Sequence, residues 1–241
     1  MEKKYLNIKL KLKRNKQFRL IKYKYKKRSY DERPMALDVL LQAQEEKYDD
    51  LAFRYGCRAR NCGVCTIDIN DRPKLACRAR VKEGDIFSAM ATLPVIKDLV
   101  VKRDAITRQM KGYNNISHTN DLNKDADKTY HNLTACIECY ACLDGCPVHA
   151  KNNIVDIQNN VAYKYGNPYS FLKIQRLLID PLTPESEKDR LVDKAKSLGL
   201  DIYRREYKNL KIKCGVGINL KGEVIKPLLD FAYSDEIEKE N

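Results

Sequence analysis

The sequence predicts an α+β protein of two domains, residues 1–104 and 105–241. Apolar and polar residues alternate through much of the first hundred residues, with the two-residue period of β-strands, and one helical stretch interrupts them. After Pro94 the pattern changes, and apolar residues then recur at helical spacing. The chain has nine cysteines, distributed over both halves, and eight of them have spacings typical of inorganic centres. A chain of 241 residues is long enough for two small cores.

The N-terminal segment predicts a β-hairpin with one lysine-rich face. Apolar residues alternate with lysines at 8–13 and again at 22–26, so two strands are expected around a turn at 13–17. Residues 1–28 hold thirteen Lys or Arg against one acid, Glu2, and the whole chain has a net charge of +13. We interpret the lysines as a solvated face that protects a sheet edge, with a nucleic-acid site as the alternative.

A helix and the first cysteine loop follow the hairpin. Residues 35–46 begin just after Pro34 and carry apolar residues at i, i+3, i+4 and i+7, which predicts about three turns of helix. Residues 66–70 alternate as a strand and lead into a turn at 70–73. Strands, one helix and a cysteine loop together favour a ferredoxin-like β-grasp domain.

The second domain is predicted to be mainly helical. A polar segment at 111–131, rich in Asn, Asp and Thr, contains His118 and His131, to which we assign no role. The spacing of apolar residues predicts helices at 106–110, 168–179, 185–197 and 223–233.

The composition also bears on the compartment. No apolar stretch reaches the roughly 18 residues that a bilayer span requires. Lysines interrupt the N-terminus where a secretory signal needs an apolar run, so we expect a cytoplasmic protein. In a reducing compartment the cysteines indicate metal or redox centres instead of structural disulfides.

The first four cysteines have the spacing C-x4-C-x2-C-x11-C, which is typical of a plant-type 2Fe-2S centre. They are Cys57, Cys62, Cys65 and Cys77. Gly56 and Gly63 lie beside or inside the loop, where missing side chains let backbone N–H groups approach the cluster sulfurs. A zinc site is the alternative, but zinc normally uses two C-x2-C or similar pairs.

The second group has the spacing C-x2-C-x2-C-x3-C-P of bacterial ferredoxins. It comprises Cys136, Cys139, Cys142 and Cys146. The first three would bind one 4Fe-4S cubane, whereas the member before proline binds a different cluster in two-cluster ferredoxins. The cubane then needs a distant fourth ligand, for which Cys214 is the remaining cysteine. His149 adds one further donor at most, so the role of Cys146 stays uncertain.

These motifs resemble the iron–sulfur subunit of succinate dehydrogenase and fumarate reductase along nearly the whole chain. The matching stretches are 34–38, 53–58, 61–63, 75–77, 95–99, 136–139 and 178–180. Residues 214–219 resemble that family's last cysteine with its Gly and Asn, which supports Cys214 as the fourth cubane ligand. The resemblance implies a partner flavoprotein subunit that holds FAD and the dicarboxylate site. It implies no catalytic residue in this chain.

The chain also departs from that family. A third, 3Fe-4S, centre there uses a cysteine like Cys146 and two more, whose positions here are Arg204 and Leu210. The family's quinone pocket uses a Trp after the Cys-Pro pair and a His after the first missing cysteine. In this chain His149 lies shortly after the Cys-Pro pair, and Arg205 stands where the family has that His. The chain has no Trp. Two clusters are therefore expected, without the third and without the family's quinone site.

Three functions follow from these observations. The first is an electron-transfer subunit of a succinate dehydrogenase or fumarate reductase-like oxidoreductase, relaying electrons between the FAD subunit and a further redox protein or membrane anchor subunit at the inner face of the membrane. A variant is a thiol-linked fumarate reductase, whose further cysteines another polypeptide would supply. The second is a free ferredoxin-like shuttle that docks through the basic hairpin. The third is a nucleic-acid-binding iron–sulfur protein, although we expect no nucleic acid. The direction of the reaction stays open.

Overall fold

A computed structural model describes residues 4–113, 125–149 and 163–234. The chain combines a mixed β-sheet with helices, so the α+β class is confirmed. It divides into two compact units. The first unit comprises residues up to Lys102 together with Ile137–Ala141, and the second comprises Arg103–Cys136 and the residues from Cys142 onward. His118 lies outside the described residues.

The strands lie in the first unit. In the part of the chain that the structure describes they are β1 Tyr5–Arg14, β2 Gln17–Lys26, β3 Thr66–Ile69, β4 Pro73–Leu75, β5 Ile86–Ser88, β6 Val95–Lys97 and β7 Val100–Val101. Five of them form one sheet in the order β2-β1-β5-β3-β4. β1 and β5 are parallel, and the other neighbours are antiparallel. β6 and β7 pair separately.

The predicted basic hairpin is present and forms one edge of the sheet. β1 and β2 pair antiparallel across a two-residue turn, Asn15–Lys16, in which both residues have positive φ (50° and 64°). Such a turn matches the right-handed twist of the two strands. Leu10 is fully buried, whereas Lys9 lies opposite Lys22 on the other face of the sheet. The lysines therefore line the surface that faces away from the core.

The predicted helix at 35–46 is confirmed as α1, Ala36–Glu46. The first turn of a helix leaves backbone N–H groups without partners inside the helix. Here the N–H groups of Ala36 and Leu37 donate to the carbonyl groups of Ala79 (2.8 Å) and Ala76 (2.9 Å). Because Ala76 precedes Cys77, the start of α1 holds the backbone around this cysteine in place.

The second unit is helical, as the sequence predicts. Its helices in the described ranges are α2 Asp104–Arg108, α3 Lys128–Thr134, α4 Pro168–Leu178, α5 Glu185–Ser197, α6 Leu200–Arg205 and α7 Lys226–Ala232. The predictions for α4 and α5 are confirmed. The helix expected at 223–233 instead starts with a π-helical stretch, Leu220–Ile225, which continues into α7. No helix among the described residues has the length and apolar character to cross a bilayer.

Two helices of the second unit were not predicted. α3 lies partly in the polar segment at 111–131, and its seven residues bury only Leu133. Its beginning is fixed instead by Asp127, whose side chain accepts a hydrogen bond from the Tyr130 N–H at 2.7 Å. α6 has six residues, too few for its apolar spacing to stand out.

A buried carboxylate joins three segments of the first unit. The side chain of Asp98 is fully buried and accepts hydrogen bonds from Arg14 Nε at 3.0 Å and from the Ala52 N–H at 2.9 Å. Arg14 ends β1, and Ala52 precedes the first cysteine loop. Asp98 therefore connects the hairpin to the segment that enters this loop. Arg14 also pairs with the half-exposed Asp50 at 2.9 Å.

Replacing this carboxylate should destabilise the first unit. We expect Asp98→Ala to lower the free energy of unfolding by about 2–4 kcal/mol, because a partly buried guanidinium and a backbone N–H lose their acceptor. Asp50→Ala removes a solvent-exposed partner of the same arginine, and we expect a much smaller loss. Urea unfolding of the anaerobically purified protein measures both. Equal losses would contradict the role given to Asp98.

Candidate iron–sulfur sites

The first cysteine loop folds its backbone around the sulfur of Cys57. The N–H groups of Ala59 and Asn61 donate to Cys57 Sγ at 3.3 Å and 3.1 Å. Arg58 and Arg60 have positive φ values of 55° and 64°, which L-residues rarely adopt. Left-handed residues within a turn direct successive N–H groups toward the same side of the chain. The loop thereby presents backbone dipoles to a negatively charged sulfur.

The four cysteines of this loop approach one another in two pairs. The N–H of Cys57 donates to Cys62 Sγ at 3.5 Å. The pairing of β3 with β4 across the turn at 70–73 returns the chain to Cys65, and the thiols of Cys65 and Cys77 are in hydrogen-bond contact. Cys62 also interacts electrostatically with Cys65. The structure thus brings the first predicted ligand group together.

The thiols of Cys57 and Cys65 differ in pKa. Hydrogen bonds from the backbone of Ala59 and Asn61 lower the pKa of the Cys57 thiol to about 7, which favours the thiolate. Burial raises the pKa of the Cys65 thiol, which contacts Cys77, to about 11. Iron binding requires deprotonated thiols, so binding of iron at Cys65 releases a proton.

The loop fits a 2Fe-2S centre in two further respects. Hydrogen bonds from backbone N–H groups stabilise cysteine sulfur ligands and tune the potential of a cluster. At Gly56 a Cβ atom would lie 3.4 Å from Cys62 Sγ, so glycine leaves this sulfur accessible. Within the described ranges, no three His, Cys, Asp or Glu side chains are grouped so as to hold a single metal ion.

Gly63 marks a close approach between two backbone segments of the first unit. Its φ is +64°, and a Cβ atom here would overlap the carbonyl oxygen of Ile137 and lie 2.8 Å from the backbone nitrogen of Cys139. The sequence predicted that this glycine leaves room for N–H groups near the cluster. The structure fills that room with the segment Ile137–Ala141. The loop that carries Cys62 therefore touches the segment that carries Cys139.

This contact can be tested with a matched pair of glycine substitutions. Gly84 has a similar φ of +82°, but a Cβ atom there meets nothing within 4 Å. We expect Gly84→Ala to cost about 1–2 kcal/mol from backbone conformation alone. Gly63→Ala adds the steric overlap and should cost at least twice as much, with loss of the 2Fe-2S signal. Thermal unfolding and visible circular dichroism measure both effects. Similar losses in the two variants would show that the contact does not matter.

The cysteines of the second unit share one apolar core. Cys146 is buried in this core, and three others pack against it half-buried; these are Cys136, Cys142 and Cys214. Cys139 is buried in the segment that belongs to the first unit. Its neighbours Glu138 and Tyr140 have positive φ values of 54° and 59°. Both cysteine groups thus contain left-handed residues two positions apart, which their composition did not reveal.

Cys146 has a partner that the sequence did not predict. Its Sγ lies 2.9 Å from the hydroxyl group of Tyr203, and the ring of Phe171 packs edge to face on Tyr203 with centroids 4.8 Å apart. Burial raises the pKa of the Cys146 thiol and raises that of Tyr203 well above its usual value. Both groups are therefore neutral at physiological pH. No sequence signal distinguished Tyr203 from an ordinary helix residue.

Three positions at which the chain departs from the family, Arg204, Leu210 and His149, have packing contacts. Arg204 lies over the ring of Tyr233, with its guanidinium carbon 4.8 Å from the centroid. Leu210 packs against the core of the second unit. His149 is buried, with its ring 4.9 Å from that of Tyr163.

Cys214 begins a short turn of its own. The N–H of Val216 donates to Cys214 Sγ at 3.4 Å. Asn219, the last residue of the stretch that resembles the family's final cysteine motif, accepts a hydrogen bond from the Gly222 N–H at 3.0 Å. This bond caps the π-helical stretch that follows.

Known proteins are similar to this chain in sequence. Residues 8–108 match the family model described as a 2Fe-2S iron-sulfur cluster binding domain. A fumarate reductase (CoM/CoB) subunit of Methanothermobacter marburgensis is 32% identical over 162 residues, which cover 64% of this chain and 31% of that protein. The fumarate reductase iron-sulfur subunit of Escherichia coli is 28% identical over 135 residues, covering 51% of this chain and 55% of that protein. The chain therefore spans less than two thirds of either relative.

The fold is also shared with a solved structure. A chain of the Mycobacterium smegmatis Sdh1 complex in the apo form superposes with a TM-score of 0.79, at 20% sequence identity, over 97% of both chains. The comparisons confirm the resemblance that the cysteine motifs indicated. The chain is a relative of the iron–sulfur subunits of succinate dehydrogenases and fumarate reductases.

Proposed function

We propose that this chain is the electron-transfer subunit of a succinate dehydrogenase or fumarate reductase-like flavoenzyme. It would hold a 2Fe-2S cluster on Cys57, Cys62, Cys65 and Cys77, and a 4Fe-4S cluster on Cys136, Cys139, Cys142 and Cys214. The observation that carries the proposal is the backbone contact at Gly63, which joins the loop of one ligand group to the segment of Cys139. Electron transfer slows steeply with distance, so such a contact suits a relay.

The fold supports a finer description of the two units. The first unit, with its mixed sheet, α1 and cysteine loop, would be a plant-type ferredoxin domain of the β-grasp class. The second would be a mainly helical ferredoxin-like domain, with its cysteines against one core. The clusters supply reversible one-electron carriers when bound. The chain itself provides thiolates, N–H donors such as those of Ala59 and Asn61, and an apolar core against which ligands of the second group pack.

The partners follow from the relatives. We infer a flavoprotein subunit that carries FAD and the dicarboxylate site, and a further redox protein or membrane anchor subunit that exchanges electrons at the other end. The chain would then be cytoplasmic, attached at the inner face of the membrane through its partners, and would hold no catalytic residue. A thiol-linked fumarate reductase is the second candidate, because the match to the CoM/CoB fumarate reductase covers 64% of this chain.

Iron content tests the ligand assignment. We expect about six irons per chain, from one 2Fe-2S and one 4Fe-4S centre. Cys214→Ser should remove about four of them, whereas Cys146→Ala should leave about six, because the Cys146 thiol bonds to Tyr203. Iron and acid-labile sulfide analysis with EPR, on anaerobically purified protein, distinguishes the variants. About nine irons with a three-iron signal in the oxidised state would contradict the proposal.

Isolation from the native cells tests the partners. The tagged chain should copurify with a flavin-bearing polypeptide, since the proposed relay receives its electrons from FAD. Flavin fluorescence and mass spectrometry identify that polypeptide. A chain that is isolated as a stable monomer with both clusters would favour a free shuttle instead.

A further inference from the structure

One segment of the second unit carries Cys214 near its middle and exposes every second residue to solvent. This segment, residues 210–217, is here named the strap. Alternate residues pack half-buried against the core of the unit; they are Leu210, Ile212, Cys214 and Val216. The residues between them are exposed; they are Lys211, Lys213, Gly215 and Gly217. The proposed cluster ligand thus lies on the half-buried side of the strap.

The strap lies directly on the second cysteine group. Gly145 precedes Cys146 and has a φ of +78°. A Cβ atom at Gly145 would lie 2.9 Å from the carbonyl oxygen of Lys211 and 3.2 Å from its carbonyl carbon. The backbone at Lys211 therefore lies against the backbone of Gly145, next to Cys146, without an intervening side chain.

The outer side of the strap is strongly basic. Residues 204–221 contain six Lys or Arg and one acid, Glu206. Arg205 pairs with Asp201 at 3.0 Å, and the guanidinium of Arg204 lies over the ring of Tyr233. Four lysines, Lys208, Lys211, Lys213 and Lys221, carry further positive charge, and Lys221 lies over the ring of Tyr207. Asp144, next to Gly145, is exposed and offsets one of these charges.

We propose that the strap is the surface at which this chain exchanges electrons with an acidic redox protein. The inference rests on the proposed function, because it requires the 4Fe-4S cluster on Cys214. One electron moves between that cluster and a one-electron iron–sulfur or flavin centre of the partner. One centre is oxidised and the other reduced by one electron, and no bond or proton changes.

The chemistry of the strap favours an acidic protein over a membrane. A peripheral membrane site combines lysines with apolar side chains that insert among the lipids. The exposed residues of the strap are lysines and glycines, and the large exposed apolar residues nearest in sequence, such as Phe231, lie outside 204–221. Lysines without apolar anchors suit an acidic protein surface, where they accelerate association.

Charge reversal tests the proposal, with a matched control in the hairpin. Lys211→Glu/Lys213→Glu and Lys22→Glu/Lys24→Glu each change two exposed lysines that lie two residues apart. The probes are a pre-reduced acidic plant-type ferredoxin as donor and basic cytochrome c as acceptor. At low salt we expect the strap variant to react at least about tenfold more slowly with ferredoxin and faster with cytochrome c. The hairpin variant should change either rate less than about twofold.

Rapid-freeze EPR at the 4Fe-4S signal reports the rate at the relevant cluster. The difference between strap variant and wild type should shrink as salt is raised. An equal loss in both variants, or no loss in the strap variant, overturns the proposal. A strap variant that loses binding to vesicles of anionic phospholipid, with its ferredoxin rate unchanged, also overturns it in favour of a membrane.

Zero-length cross-linking keeps the surface testable apart from the cluster assignment. Carboxylates of the ferredoxin should become linked to Lys211 or Lys213 of the holoprotein, as mapped by mass spectrometry. If wild-type protein lacks the 4Fe-4S signal, the proposed function fails, and links at the strap would still identify the docking surface. Links confined to hairpin lysines would overturn the inference while leaving the proposed function intact.

Discussion

The structure depends on how a polypeptide places N–H groups around negatively charged sulfur. A cysteine sulfur that binds iron carries charge, and a regular helix or strand uses its N–H groups internally. The first loop solves this with left-handed residues at Arg58 and Arg60, which turn the N–H groups of Ala59 and Asn61 toward Cys57. Such conformations cost free energy, so they persist where the surroundings compensate. The start of α1 and the Asp98 carboxylate hold the chain on either side of the loop.

The same constraint explains why the segment Ile137–Ala141 belongs with the first unit. The residues around Cys139 have positive φ at Glu138 and Tyr140, and this segment packs its backbone on Gly63. A side chain at position 63 would separate the two backbones. Close backbone approach is thus obtained by the absence of a side chain and not by an added interaction. The proposed relay and the packing of the first unit both require a residue without a side chain at position 63.

Periodic elements were predictable, because their pattern repeats within one segment. The hairpin, α1, α4 and α5 each show several turns or alternations, and the structure places them where the sequence predicts. α3 and α6 are too short for periodicity and are stabilised by a cap or by tertiary packing. The cysteine spacings identified the candidate ligands. The contact between Cys146 and Tyr203 could not be predicted, since it joins residues 57 positions apart with no charge or spacing signal.

The pairing of Cys146 with Tyr203 also bears on how this chain can change during evolution. Cysteines introduced at Arg204 and Leu210 would not by themselves make a three-cysteine site, because the thiol of Cys146 contacts Tyr203, on which Phe171 packs. Tyr203 and Phe171 would have to be replaced at the same time, and each intermediate would carry a cavity or an unpaired hydroxyl in the core. A third cluster site would therefore be hard to build here in single steps. The two-cluster arrangement that we propose would be retained by the packing of the core as well as by the missing ligands.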